Sequence, residues 1–381
     1  MSDTRQSLDE LNTPCLLLDR GVLRRNLQRM AKHIEGLGGV LRPHVKTHKS
    51  LDVQAELEQA GTVSGITVST LAEAEYFFAA GQRDILYAVG IAPNKLDQIA
   101  DLMARGASIK IILDSVEMAA CVAAKGVELG VTFTTLIELD VDGHRAGIDP
   151  RSDALLELAQ ACQAPGLALG GVMTHAGGSY NCASVEAIRD MAGQERSLAV
   201  LGADRLREAG HPIDIVSIGS TPTAFFATSL EGVTEVRAGV YTFQDLVMAG
   251  LGVCGHEEIA ISVLGSVIGH QRAKGWTLTD AGWMAMSRDR GTQGQAVDFG
   301  YGEVWDLEGQ PMGGLILSGA NQEHGVISRG THASGEAPEL AVGDKVRIAP
   351  NHACATAAQF DHYMVIEDGY LIDQWPRGRG W

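Results

Sequence analysis

A (β/α)8 barrel joined to a separate, mainly antiparallel β domain is the fold class this 381-residue sequence predicts, and two observations predict it. From about residue 20 to 255, short β-rich runs alternate with amphipathic stretches, the pattern of repeated β-α units around a parallel sheet. After about residue 256 the chain turns to strand-and-turn sequence, such as AISVLGSVIGH, GGLILSG, DKVRIAP and YMVIEDGYLIDQW, with no convincing long amphipathic helix.

The elements follow in order. TPCLLLD (13–19) precedes the first barrel strand by a whole helix, so residues 1–19 are assigned with 256–381 to the β domain, leaving 20–255 for the barrel. Asp19 caps a first helix whose Leu23, Leu27, Met30 and Ile34 recur on one face, which should pack on the barrel. Eight strands are then read at LRPHVK (41–46), SGITVS (64–69), DILYAV (84–89), SIKIILD (108–114), TFTTLIELD (132–140), ALGGVMTH (168–175), IDIVSIG (213–219) and VTEVRAG (233–239). Thr70 to Glu73 reads as a capping box.

Composition narrows the function classes. With 47 acidic against 30 basic residues, a net charge of −17 and no Lys/Arg-rich run, the chain offers no positive field for nucleic acid. The start MSDTRQSLDE is polar and no later run stays apolar for a membrane-spanning length, so a cytoplasmic protein without a membrane partner is expected. Six scattered cysteines without a CxxC pair fit reduced thiols better than a disulfide frame.

Reactive groups in such a barrel belong at the C-terminal ends of strands. In LRPHVKTH, Arg42, His44 and Lys46 are two apart, so an extended strand puts them on one face with Lys46 at the mouth. A desolvated lysine there has a lowered pKa and a free amine able to form a Schiff base with an aldehyde cofactor; a surface lysine at a strand end fits the position equally well. SIGSTPT (217–223) follows the seventh strand and offers backbone N–H groups beside the Ser220 and Thr221 hydroxyls, a cradle for phosphate that Gly239 and Val240 after the eighth strand would complete. Arg145 and His175, after strands five and six, face the mouth either as ligand contacts or as ordinary ion-pairing and core residues. In PNHACAT (350–356), His352 and Cys354 point the same way if the chain is extended, an imidazole and thiolate pair suited to zinc, or simply a buried Cys beside a half-exposed His.

Seven blocks in order, RPHVKTHKS, THAGGSY, SIGSTPT, TEVRAGVYTFQDL, DAGWMAMSRD, NQEHG and PNHACAT, resemble the D-serine dehydratase and D-threonine aldolase family of pyridoxal-phosphate enzymes, across nearly the whole chain. The resemblance implies the alanine-racemase fold, usually a homodimer, with Lys46 as Schiff-base lysine and Arg145 near the cofactor's phenolic oxygen. It further implies Gly219, Ser220, Thr221, Gly239 and Val240 at the phosphate, Arg237 at the pyridine nitrogen, and Tyr180 and His175 beside the ring. His352 and Cys354 match the metal ligands of the dehydratases, with zinc expected and manganese or cobalt as alternatives; the aldolase branch resembles His-x-Asp at these positions. The implied reaction converts a D-β-hydroxy amino acid, D-serine or a 3-hydroxyaspartate, to a 2-keto acid and ammonia. Its rivals are a retro-aldol lyase, a non-catalytic cofactor carrier and a racemase, the last disfavoured because no matching tyrosine is identified in the C-terminal domain. A second substrate carboxylate would call on His324, Arg288, Arg290 or His362.

Overall fold

The structure, a computed structural model, describes residues 6–333 and 338–381. Residues 1–5, part of the polar start read above, lie outside them. The chain forms two compact units: one takes the chain up to Gln28, Asp52–Leu57 and Val240–Arg377, the other Arg29–Leu51, Glu58–Gly239 and Gly378–Trp381.

The second unit holds eight parallel strands: Leu41–Pro43, Ile66–Val68, Asp84–Gly90, Ser108–Leu113, Phe133–Leu139, Leu167–Thr174, Ile215–Ile218 and Glu235–Ala238. They fall on the eight predicted runs. The first pairs with the eighth, and the pairing continues in sequence order down to the second. Bridges from Leu41 to Val63 and from His44 to Thr67 then link the first strand to the second. Parallel neighbours need a crossover, and helices such as Leu71–Ala79, Val116–Leu129 and Val185–Glu208 supply them. Each starts on a side-chain cap: Ser115 accepts from Met118 N–H at 3.3 Å and Ser184 from Ala187 N–H at 3.2 Å. Thr70 accepts from Glu73 N–H at 3.1 Å, while the Glu73 carboxylate takes the Ser69 N–H at 2.7 Å. Leu86, Ile112, Leu136 and Met173, from four consecutive strands, meet in one cluster; burying side chains of this kind stabilises by about 1.5–3 kcal/mol each.

In the first unit six antiparallel strands close a ring. Ile261–Gln271 pairs with Trp276–Thr279, and Gly325–Arg329, Pro311–Ala320, Gly302–Trp305 and Lys345–Pro350 follow, the last returning to Ile261–Gln271. The segment Cys15–Asp19 pairs antiparallel with the start of Ile261–Gln271 and parallel with His362–Glu367. Two apolar clusters fill this unit, one around Leu17, Leu264 and Ile366, the other around Phe299, Trp305 and Ile316.

Asp19 Oδ1 accepts from Val22 N–H at 2.8 Å and opens the helix Arg20–Gly36. Its four apolar residues are buried, but the helix is shared: Leu23 and Leu27 fall in the β unit and only Met30 and Ile34 in the barrel unit. Among the described residues, no helix is long and apolar enough to cross a membrane.

Candidate active site

The first barrel strand ends earlier than its sequence pattern implies. His44 still bridges to Thr67, but Val45 to His48 form a turn, with Val45 N–H on Thr67 O at 2.9 Å and Lys49 N–H on Val45 O at 2.8 Å. The turn carries the Lys46 side chain outward, so it is exposed rather than packed among barrel side chains, and the shared face expected of Arg42, His44 and Lys46 is broken. Arg42 is instead buried against Glu235 and Asp84.

Two imidazoles stand beside Lys46. His175 follows the sixth strand, and its Nδ1 lies 3.0 Å from Gly219 O; a carbonyl only accepts, so Nδ1 carries the proton. Burial pushes this histidine down to about 3; the bond to Gly219 opposes that, and the charges of Lys46, Arg237 and Arg145 add to it. His44 is held well below its ordinary value by burial first, then by Lys46, Arg237 and His175. Its Nδ1 faces the Lys46 N–H at 3.5 Å and its Nε2 the Ser69 hydroxyl at 3.3 Å. The Tyr180 ring is 6.2 Å from that of His175. In a chain of net charge −17, Lys46 and Arg237 thus act on both neutral rings and Arg145 on that of His175.

Arg145 is exposed, 3.5 Å from Glu138, whose carboxyl burial raises and Arg145 draws back. Arg237 is buried, donating from Nη1 to Ser217 Oγ at 2.6 Å and from Nη2 to Thr174 O. Burial lowers its pKa, though a guanidinium stays protonated in proteins. Gly219 has φ +131, and a Cβ on it would lie 2.2 Å from Arg237 O, so the turn after the seventh strand touches the eighth. Ser220 caps the short helix Thr221–Phe226: its Oγ accepts from Thr223 N–H at 3.2 Å and its N–H meets Thr223 Oγ1 at 3.0 Å. Its hydroxyl also meets Ser179 Oγ at 2.9 Å, so Ser220 shapes the turn as well as lining it. Gly239 backs onto His44 O and Thr47 Oγ1 with no room for a Cβ, and Val240, buried, begins the other unit. An exposed primary amine, two guanidinium groups and a turn of small residues fit a phosphorylated aldehyde.

One residue sequence reasoning missed organises this end. Glu195, buried in the helix Val185–Glu208, accepts with Oε1 from Ala176 N–H at 3.0 Å and from Gly219 N–H at 3.1 Å. It ties the turn after His175 to the turn after the seventh strand. A glutamate inside a long helix carries no local signal of such a role.

In the β unit, His352 caps the short helix Ala353–Ala357, so the chain between His352 and Cys354 is not extended as the spacing suggested. The two side chains are nevertheless brought together and hydrogen-bond. The His352 Nδ1 is 2.7 Å from Asp289 Oδ2, and Asp245 Oδ2 accepts from Ala353 N–H at 2.9 Å. Burial alone would depress His352, but its bonds to Asp289 and Cys354 outweigh it and lift the ring to about 11. Asp289 is the partner a metal-binding histidine commonly has on its other nitrogen, and it leaves Nε2 and the thiol as one soft-to-borderline donor pair. No group of three or more His, Cys, Asp or Glu side chains placed to hold a metal is found among the described residues. Of the basic residues considered for a second carboxylate, Arg290 is paired with Asp298 at 2.9 Å and Arg288 lies over the Trp283 ring.

Comparison with known proteins adds family information to this geometry. The alanine racemase N-terminal domain family matches residues 18–246, and the family described as a putative serine dehydratase domain matches 260–366. The chain is 51% identical, over the full length of both, to D-threo-3-hydroxyaspartate dehydratase of Delftia sp. strain HT23. The solved structure of that protein superposes with a TM-score of 0.95 at 50% identity, covering 99% of this chain and 100% of that one. D-serine dehydratase of Dictyostelium discoideum is 30% identical over the full length of both chains. The 3-hydroxy-D-aspartate aldolase of Paracoccus denitrificans is 28% identical, over 98% of this chain and 94% of that one.

Proposed function

Since the chain belongs to the D-serine dehydratase family, with an alanine racemase N-terminal domain, we propose that it is a lyase converting a D-β-hydroxy amino acid to a 2-keto acid and ammonia. D-threo-3-hydroxyaspartate is the first substrate to try and D-serine the second. The observation that carries the reading is that Lys46 and Arg237 act on the neutral rings of both His44 and His175, with Arg145 acting on His175 as well, beside the exposed Lys46.

Pyridoxal phosphate, when bound, supplies an aldehyde and an electron sink, and a divalent ion supplies a Lewis acid for the β-hydroxyl. Lys46 Nζ, free on its turn, would hold the aldehyde carbon and later take the Cα proton. The turns at Gly219–Thr221 and Gly239–Val240 would receive the phosphate and Arg145 the phenolic oxygen, with His175 and Tyr180 beside the ring. Arg237 keeps its own proton, so it would hydrogen-bond the ring nitrogen without protonating it. Held by such a donor, the ring would be a weaker electron sink, and the Lewis acid that His352 and Cys354 would hold would count for more. His352 and Cys354 would hold the ion, zinc first and manganese or cobalt next; in support, a Cys-to-Ala variant of a D-threo-3-hydroxyaspartate dehydratase 50% identical to this chain is solved in a metal-free form. We also propose a homodimer, to be checked by sedimentation.

The test is product analysis of the purified protein with pyridoxal phosphate and a divalent metal, on D-threo-3-hydroxyaspartate, D-serine and D-threonine, with and without chelator. Metal-dependent keto acid and ammonia are expected. Glycine plus an aldehyde would move the chain to the aldolase reading, which the Paracoccus relative keeps in view and Cys354 argues against.

A further inference from the structure

The barrel contains a polar chain leading to Arg237, and of its members the reaction above uses Arg237 alone. At its N-terminal rim Lys110 Nζ pairs with Asp84 Oδ1 at 2.6 Å, and Asp84 Oδ2 accepts from Arg42 Nη2 at 2.9 Å. Arg42 Nε donates to Glu235 Oε2 at 2.7 Å; the other oxygen of Glu235 lies 2.6 Å from Ser217 Oγ, which lies 2.6 Å from Arg237 Nη1. Arg42, Glu235, Ser217 and Arg237 are all buried.

The proton positions in this chain are fixed by chemistry. A carboxylate can only accept and a guanidinium can only donate, so the Ser217 hydroxyl proton points at Glu235 and its lone pair at Arg237. Reversing the hydroxyl would put a proton against a guanidinium N–H and a lone pair against a carboxylate. With Nη2 also anchored on Thr174 O, the guanidinium plane is set from two sides.

We propose that Glu235 is a positioning residue: acting through Ser217, it orients Arg237 at the barrel mouth and partly neutralises its charge, which sets the protonation of the bound cofactor. This rests on the reading that pyridoxal phosphate sits between Lys46 and Arg237. The other charged groups acting on Arg237 are Glu195 and Glu138, which favour its cation, and Arg42, which opposes it; His44, His175 and Lys46 share the mouth. Arg42, paired with both Glu235 and Asp84, links the network to the solvent-facing rim.

The experiment is a pH titration of the visible absorption of the cofactor-loaded protein, with Lys46 attachment verified by borohydride reduction and mass analysis. Ser217→Ala and Glu235→Gln should keep the cofactor attached but move the titration midpoint down by about one pH unit, because the Arg237 charge at the ring nitrogen, across the ring from the imine, is then less offset, by loss of the bridge in the first variant and of the carboxylate charge in the second. Ser217→Thr, which restores a hydroxyl, should return the midpoint to the wild-type value. A Ser217→Ala midpoint equal to wild type, or a Ser217→Thr protein indistinguishable from Ser217→Ala, overturns the proposal while leaving the cofactor reading intact. Wild-type protein that takes no cofactor on Lys46 overturns both. Should Ser217→Ala fail to fold, Glu235→Gln decides by the same midpoint.

Discussion

Replacing Glu195 by Ala should damage the barrel mouth from a distance. The Oε1 atom is the acceptor for two buried backbone N–H groups, Ala176 at 3.0 Å and Gly219 at 3.1 Å. Leaving a buried donor unpaired costs about 1–3 kcal/mol, and removing the one buried methylene, Cγ, costs about 0.8 kcal/mol. Relief of the carboxyl's own burial offsets part of this, leaving a net loss of about 3–5 kcal/mol. Glu195→Gln keeps an oxygen in place for both donors and should cost at least about 2 kcal/mol less than the alanine. Urea unfolding gives the global loss, and amide hydrogen exchange reports the two N–H groups directly: both should lose protection in Glu195→Ala and keep it in Glu195→Gln. If the alanine variant unfolds within about 1 kcal/mol of wild type with protection at Ala176 and Gly219 unchanged, the bridging role is wrong.

Three further outcomes are expected. Lys46→Ala should abolish turnover and covalent cofactor attachment yet unfold within about 0.5 kcal/mol of wild type, because the side chain is exposed; a large stability loss would show a packing role. Asp289→Asn should weaken metal affinity by about 10–100-fold, read by equilibrium dialysis, with the fold retained; unchanged affinity would remove Asp289 from the metal site. Gly219→Ala should lose about 2–5 kcal/mol and most cofactor affinity, since φ is +131 and the new Cβ meets backbone at 2.2 Å; wild-type melting would refute the close approach.

What was legible in the sequence, and what was not, divides by range. The eight strands were readable because each is a run of β-branched and apolar residues bounded by turn formers, a property of neighbours in the chain. The places of His175 and Gly219 just after their strands were readable because position relative to a strand end is also local. Missed was the early end of the first strand, where the bond from Val45 N–H to Thr67 O turns the chain before Lys46. Missed too were Glu195, Glu235 and Asp289, whose partners lie 18 to 193 positions away in sequence. Their identities as carboxylates say nothing until folding supplies the donor. The helix at Ala353 was missed because a five-residue helix has too few positions to show a period.

The buried carboxyl and the buried imidazole at the mouth pull the stability of the protein in opposite directions with pH, which allows them to be separated. His175 is depressed to about 3 from an ordinary value near 6.5, so between those limits the unfolded chain binds the extra proton. Stability from this group therefore rises with pH across that window, by about 1.4 kcal/mol per unit, and is lost as pH falls from 6.5 towards 3. His44, also depressed, adds the same sign. Glu195 is shifted upward by burial, against bonds from Thr223, Ala176 and Gly219 and the Arg237 charge, so above the ordinary glutamate value the folded state holds the extra proton. Its contribution falls as pH rises through that interval and flattens above its folded pKa. Where the windows overlap, the one descending contribution offsets only one of the two ascending ones, so wild-type stability there should still rise with pH, but less steeply than the imidazoles alone would give. Glu195→Gln removes the descending contribution and leaves the imidazoles alone, so its stability should climb more steeply with pH than that of wild type from about pH 4.5 upward. Denaturant unfolding at half-unit pH intervals compares the two slopes. Parallel curves would mean that Glu195 is ionised in both states across the range, and that burial does not hold its proton.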